Sequence, residues 1–420
     1  MNIIENQVCR IPMYIIGCLH LYYYFITDIN TIIKQYGNFK VRDYTISRYS
    51  NTLIGYLGEH LRLTIKVEDN GSQAEYKFFV KCMPKDPWLA EFLTESNLFN
   101  KEYVMLSDLF VKFESLLIKR DLFVFEDAKE LGYDMARQRQ TLGFEEMKAV
   151  VKALAQFHAQ SFIYEEKKSQ ELQRTYRIWE DFSEHLRESK DYNWRNTGRD
   201  AVIEFIKVNS KRKFEGNFSE EVAVLMYSMF NDALDLMKPS LKYRNTVVHR
   251  DLWSNNILLK ADNEKYHALI VDFQTVLYCP PTMDVSSLIY FNTTKDFRDR
   301  YMDETLDDYY EELTKEVEDK IDVNFSTILS KSEFLESYDE SVLFGMTQAA
   351  IIVPITAMSV QKREELFCDP DSIHKINNVT RSKEILDVAN EDAAYCSRIS
   401  ELFDEIVDRY YLKYGQRNNQ

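Results

Sequence analysis

The stretch His249-Arg250-Asp251-Leu252-Trp253-Ser254-Asn255-Asn256 decides how this chain is read. Ile257-Leu258-Leu259 follows, then a polar turn around Asp262-Asn263, then Ala268-Leu269-Ile270-Val271, which runs into Asp272-Phe273-Gln274. Two short apolar runs around a polar turn predict a β-hairpin. In an antiparallel pair, the residue entering the first strand lies beside the residue leaving the second. Asn256 and Asp272 are therefore expected at one open end of the hairpin, with Asp251 close by. Such a group offers two oxygen ligands for a hard cation and one carboxylate to receive a proton. Mg²⁺ keeps several waters and takes one or two protein ligands beside substrate phosphates. The group suits phosphoryl transfer.

The spacing agrees. Asp251 precedes Asn256 by five residues, and Asp272-Phe273 comes next. That is the order of a kinase catalytic loop: a base Asp, a metal-binding Asn, then the metal Asp that opens the next motif. Asp251 is the expected catalytic residue, and Asn256 and Asp272 are the expected Mg²⁺ ligands.

Upstream, strands are expected at Tyr44-Thr45-Ile46, Leu61 to Val67, Ala74 to Met83, Ser115 to Ile118 and Leu122 to Phe125. Asp69-Asn70-Gly71 supplies a turn. Phe92 to Phe110 reads as a helix inserted after the third strand. In kinase architecture the Lys of the third strand pairs with a Glu on that helix. Lys81 and Glu102 fit those places, although Glu91 and Glu95 precede Glu102 on the same expected helix. Gly55 and Gly58 sit between two strands without a GxGxxG pattern. They form either a phosphate-covering loop or an ordinary hairpin turn. Phe125-Glu126-Asp127 ends the sheet as the inter-lobe connector, where Glu126 would meet adenine through its backbone.

Downstream, Phe144 to Phe162 shows apolar residues at helical spacing, with His158 on the same face as a core histidine. Residues 161–242 form a long, aromatic, mostly helical stretch that either lines a pocket for a small acceptor or is a surface insertion. Asp284 either braces the catalytic loop through hydrogen bonds to its backbone or caps its own helix. Met302 to Ile321 is an acidic amphipathic helix, Val342 to Met358 a core helix interrupted by Pro354, and the segment from Tyr395 to Tyr410 a last amphipathic helix.

Composition sets bounds. The 420-residue chain carries a net charge of −16, which argues against nucleic acid or an anionic membrane as general partners. Its six cysteines are scattered without CxxC pairs, which points to a reducing, cytoplasmic compartment. The apolar stretch from Ile11 to Ile26 is short for a membrane span and reads either as a buried or partly ordered helix or as a membrane-contacting segment.

These motifs resemble the ecdysteroid kinase-like proteins of arthropods, relatives of choline kinases and aminoglycoside phosphotransferases. The resemblance rests on residues 249–256, on Val271-Asp272-Phe273-Gln274, on Phe79-Val80-Lys81 with Lys101-Glu102, on Phe125-Glu126-Asp127, and on Gln156-Phe157-His158-Ala159. Many members carry Gly where this chain has Arg250. The resemblance implies an α+β, two-lobed protein-kinase-like fold. Residues 1–37 would be an N-terminal extension, 38–126 an N-lobe with a five-stranded antiparallel sheet and a helix, and 127–420 a larger, mainly helical C-lobe. The C-lobe would hold the insertion 161–242 and the catalytic hairpin 247–274. The implied activity is ATP- and Mg²⁺-dependent phosphorylation of a hydroxyl on a small molecule, an ecdysteroid or another steroid or xenobiotic metabolite. Lys81 would grip the nucleotide phosphates, with Glu102 holding it. A choline- or ethanolamine-type kinase is an alternative. A protein kinase would carry Lys two residues after Asp251, where Trp253 stands, and an Ala-Pro-Glu motif. A nonreactive binding protein would be expected to have lost one of Lys81, Asp251, Asn256 or Asp272.

Overall fold

The computed structural model describes residues 13–14, 32–34, 37, 39–50, 58–69, 72–84, 87–112, 122–136, 141–188, 193–263, 265–367 and 370–417. It is an α+β protein, mostly helical, with antiparallel sheet pairings, and it divides into two compact units.

The first unit comprises residues 1–134 with 259–261 and 272–275. Its sheet has four long strands and one stub: β1 (Met13–Tyr14), β2 (Lys40–Arg48), β3 (Glu59–Asp69), β4 (Ser72–Cys82) and β5 (Leu122–Glu126), in the order β1-β5-β4-β3-β2. The expected strand at Ser115 to Ile118 lies outside the described residues, as do the Asn70-Gly71 turn and most of the apolar N-terminal stretch. The five-stranded sheet is thus corrected to four long strands, with the two-residue β1 running antiparallel along β5. On β3, Leu63, Ile65 and Val67 are buried while Lys66 is exposed, so the period-two alternation sets which face meets the core.

The single helix expected over Phe92 to Phe110 is two helices. Pro87–Glu95 ends before Asn97, whose φ of 58° is left-handed, and Leu98–Val104 starts afresh. Asn tolerates that region because its short polar side chain bonds locally. The second helix then opens into a π-turn at Met105–Leu109 and closes at Phe110–Lys112.

The second unit holds the remaining residues. Elsewhere in the chain, short strands β6 (Asp134–Met135), β7 (Thr246–Val248), β8 (Ile257–Asp262), β9 (Lys265–Ile270) and β10 (Leu277–Cys279) form two small sheets, ordered β6-β8-β9 and β10-β7; Asp134 of β6 and residues 259–261 of β8 are counted in the first unit. The expected hairpin is β8 and β9. Val271 donates its N–H to the Asn256 carbonyl at 3.0 Å, which closes the hairpin at its open end.

Long helices make up the rest. Phe144–Leu172 buries Met147, Val150, Val151, Leu154 and Phe157 along one stripe. Lys331–Thr356 packs on Thr282–Asn292 through small and polar residues: the Thr282 hydroxyl meets Ser337 and Ser341 at 2.7 and 2.8 Å, and Ser286 donates to the Ser341 carbonyl at 2.9 Å. A Cβ on Gly345 would fall 2.7 Å from the Ser286 carbonyl carbon, so this approach needs glycine. Among the described residues no single helix is long and apolar enough to cross a membrane.

The inserted segment is pinned by Glu165, which is fully buried. Its carboxylate accepts from the Ile178 N–H at 2.8 Å, the Tyr278 hydroxyl at 2.5 Å and Arg244 at 2.9 Å. Burial pushes its pKa up to about 7 against the opposing pull of Arg244 and of the Tyr278 and Ile178 hydrogen bonds, from an ordinary 4.5.

Two outcomes follow. Gly345→Ala should overpack the helix crossing and cost about 1–3 kcal/mol, seen as a lower urea midpoint at unchanged slope. For Glu165 the raised folded pKa means stability that is complete below 4.5 and lost as pH rises through about 7. Glu165→Gln does not titrate, so its stability relative to the native protein should improve across that window. A pH-independent difference between their urea midpoints would show that Glu165 does not titrate there.

Candidate active site

The expected site residues fall into one group within each unit. In the first unit, β4 places Lys81 in the core, 5% exposed, and helix Leu98–Val104 brings Glu102 to it from a buried face. The Lys81 ammonium donates to Glu102 Oε2 at 2.7 Å and to Asp272 Oδ1 at 2.6 Å. Burial works against the ammonium, but the Asp272 and Glu102 carboxylates outweigh it and hold its pKa above the ordinary lysine value. Glu102 is pushed up to about 7, first by burial, with Lys81 opposing and Asp272 adding. Burying a lysine at such a cost is tolerable only with both partners in place.

Asp272 itself is left-handed, with φ of 73°. Its other oxygen accepts from Gln274 Nε2 at 3.2 Å. The next residue, Phe273, packs edge-on against Phe110, at the end of the π-turned helix, with centroids 5.1 Å apart. Across the sheet from Lys81 stands His60. Burial, then the Lys81 charge, lower its pKa to about 4 against Asp272, so it is neutral at pH 7. Gly58 lies beside the same lysine, its Cβ position 3.5 Å from Lys81 Cγ, an ordinary contact. Gly55 lies outside the described residues.

Glu126 ends β5, opposite Phe78, while Phe123 on the same strand is opposite Lys81. The following residue, Asp127, is a group that pattern reading gave no role. It is buried and accepts from the Tyr49 hydroxyl at 2.7 Å, from Arg62 at 2.9 Å and from the Lys129 N–H at 3.1 Å. Asp127, the first residue after β5, is thus fastened to Tyr49, just past the end of β2, and to Arg62 on β3.

In the second unit, β7 leads into the loop that bears Asp251, and a 3₁₀ turn at Ser254–Asn256 passes it to β8. Asn256 Nδ2 donates to the Asp251 carbonyl at 2.8 Å and to Asp251 Oδ2 at 3.0 Å. That use of the NH₂ group leaves Oδ1 as the atom with which Asn256 can ligate a cation. His249 faces the Val271 carbonyl through Nε2 at 2.9 Å and receives the Asp251 N–H on Nδ1 at 3.3 Å. A carbonyl only accepts, so Nε2 carries the proton and Nδ1 is free to accept; the neutral ring satisfies both. Asn292 adds a bond to the Leu252 carbonyl at 2.7 Å.

Behind the loop lies Asp284, fully buried in the first turn of Thr282–Asn292. Its carboxylate accepts the N–H of His249 and, at 2.6 Å, the N–H of Arg250. Of the two readings of Asp284, the loop brace is the one observed. His158 is a satisfied core histidine, bonded to Asp284 at 3.1 Å and to the Tyr309 hydroxyl at 2.6 Å. It stands behind the brace. Arg250, the residue before Asp251, is left-handed at φ 75°. Trp179 of the insertion stacks on Tyr278, with centroids 6.0 Å apart.

The described geometry is thus a lysine neutralised by two carboxylates in one unit and an Asp–Asn pair on a braced loop in the other. Residues 54–320, more than half of the chain, match the model of the Ecdysteroid kinase-like family, and the protein belongs to that family. No curated protein matches the sequence significantly. Among solved structures, similarity extends to a Plasmodium vivax ethanolamine kinase (14% identity, 80% of this chain and 81% of that one, TM-score 0.34). A microcompartment-associated aminopropanol kinase is similar at 12% identity, over 90% and 99% of the two chains, with TM-score 0.31. An aminoglycoside-3'-phosphotransferase of type VIII is similar at 12% identity, over 77% and 100%, with TM-score 0.31. These scores are too low to transfer a fold or a function.

Asp284→Asn keeps the shape of the brace but replaces one acceptor oxygen by a donor facing an N–H. The expected cost is about 1–3 kcal/mol of stability, with faster amide exchange in the peptide that spans His249 and Arg250. Native exchange there would show that the loop is held by other bonds.

Proposed function

We propose that this protein is an ATP-dependent kinase of small molecules that phosphorylates a hydroxyl group. The observation that carries the reading is the bond of Asn256 to Asp251, which holds a carboxylate and an amide oxygen side by side on one braced loop. Asp251 would accept the proton of the acceptor hydroxyl or orient it. Lys81 would hold the nucleotide phosphates, kept in place by Glu102, and Glu126 would present its backbone to adenine. Gly55 and Gly58 would cover the phosphates.

The donor set fits Mg²⁺. Asp272 and Asn256 would each offer a hard oxygen, and few protein ligands are needed beside phosphate. When bound, the ion would neutralise charge on the transferred group. The remaining work belongs to the chain: positioning and electrostatic stabilisation. The acceptor class proposed is an ecdysteroid or another steroid or xenobiotic alcohol, with residues 161–242 as its wall. The setting proposed is a reducing, cytoplasmic one, on the scattered spacing of the six cysteines.

The test pairs binding with turnover. ATP affinity is measured by calorimetry for the native protein and Asp251→Asn, and turnover is measured against ecdysteroids, choline-like amines and phenolic metabolites. Asp251→Asn should lose roughly 10²–10⁴-fold in turnover while ATP affinity stays nearly unchanged. Native-like turnover in the variant would remove Asp251 from the catalytic role. ATP binding without turnover on any acceptor would make the protein a nonreactive binder, and turnover of amines alone would replace the steroid-like acceptor.

A further inference from the structure

Arg250 combines two features that seldom meet. Its φ of 75° lies in the region where L-residues are strained, and its side chain is a buried cation, 8% exposed. Both ends of the residue are fastened. The N–H is held by Asp284, as described, and the guanidinium meets Glu188 Oε2 at 2.7 Å. Glu188 comes from the inserted segment, not from the loop. The same oxygen also accepts from Arg195 at 2.6 Å, in the first turn of helix Asn193–Asn209. Two residues before Glu188, the Leu186 carbonyl accepts the Tyr278 N–H at 3.0 Å, which seats this part of the insertion on β10.

We propose that Glu188 is a positioning residue for phosphoryl transfer: through Arg250 it sets the backbone on which Asp251 is presented, and so couples the inserted segment to the catalytic loop. The inference rests on the reading of Asp251 as the group that meets the acceptor hydroxyl. The physical chain is short. A buried guanidinium stripped of its carboxylate is driven toward water. Its Cα follows, and a strained φ relaxes once the side chain no longer holds it. Asp251 is the next residue and moves with it. A displacement of about 1 Å at a reacting group costs on the order of 10²-fold in rate.

Phosphate release from Mg·ATP, with water as the acceptor, supplies the readout without a known substrate. Native protein, Glu188→Gln, Glu188→Asp, Arg250→Gly and the double variant Glu188→Gln/Arg250→Gly are compared. Glu188→Gln should lower kcat roughly 10- to 100-fold with KM for Mg·ATP unchanged, and Glu188→Asp should fall between it and the native protein. Arg250→Gly should lose less than Glu188→Gln, because glycine takes the left-handed backbone without strain. The double variant should match Arg250→Gly, since Glu188 then has nothing to hold. Hydrogen exchange in the peptide 246–258 should be faster than native in Glu188→Gln and no faster in the double variant than in Arg250→Gly. Native kcat in Glu188→Gln, or the same fold-loss in both backgrounds, overturns the proposal. If Glu188→Gln does not fold, Glu188→Asp and the double variant decide by the same comparisons. Asp251→Asn is run alongside: native hydrolysis there removes the catalytic reading itself, whereas an inactive Asp251→Asn with a native Glu188→Gln removes only the coupling.

Discussion

One buried carboxylate carries the loop on which Asp251 stands. Asp284 accepts the backbone N–H groups of His249 and Arg250 and the ring of His158, and no water reaches it. Backbone amides taken from water must find acceptors, and a charged acceptor makes such bonds stronger. The loop needs that strength because it turns through a left-handed Arg250 immediately before Asp251. The helix Thr282–Asn292 supplies the carboxylate, and Phe144–Leu172 supplies the histidine that orients it. The long helices of the second unit therefore serve one short turn.

The first unit solves a different electrostatic problem. A lysine in a sheet core is unstable unless it is paired, and Lys81 is paired twice, with Glu102 and Asp272. The arrangement makes strand β4, the helix bearing Glu102 and the turn at Asp272 mutually dependent. Removing either carboxylate would leave the buried cation undercompensated. Asp272 and Arg250 share one trait: each is a non-glycine residue held at positive φ by what its side chain or amide touches.

Much of this was legible in the sequence because it is local. The spacing from Asp251 to Asn256 lies within one turn, and the runs on either side of Asp262-Asn263 announced β8 and β9. Lys81 was found by strand order, and Glu102, with Glu91 and Glu95 as rivals, is the glutamate that meets it. What escaped was tertiary. The break at Asn97 carries neither Gly nor Pro to mark it, so one helix was expected where two exist. The side-chain role of Asp127 gave no signal because its partners, Tyr49 just past β2 and Arg62 on β3, are distant in the sequence. Glu165 and Glu188 are ordinary acidic residues in a charged, aromatic segment. Only the packed structure shows which arginines face them, since a buried charge chooses its partner across the chain rather than along it.

The crossing at Gly345 bears on where motion can occur. Ser286 sits two residues beyond Asp284 on the same helix, and its backbone rests directly against the bare glycine face of Lys331–Thr356. Sliding that helix along its axis would drive Cβ atoms of neighbouring residues into the contact, and lifting it would open a void among Thr282, Ser286, Ser337 and Ser341 that strands their hydroxyl bonds. Helix shear is thus closed to this part of the molecule. Any adjustment of the loop that bears Asp251 has to come from torsions within the loop itself, or from the side chains that line it, while Asp284 stays fixed as the pivot.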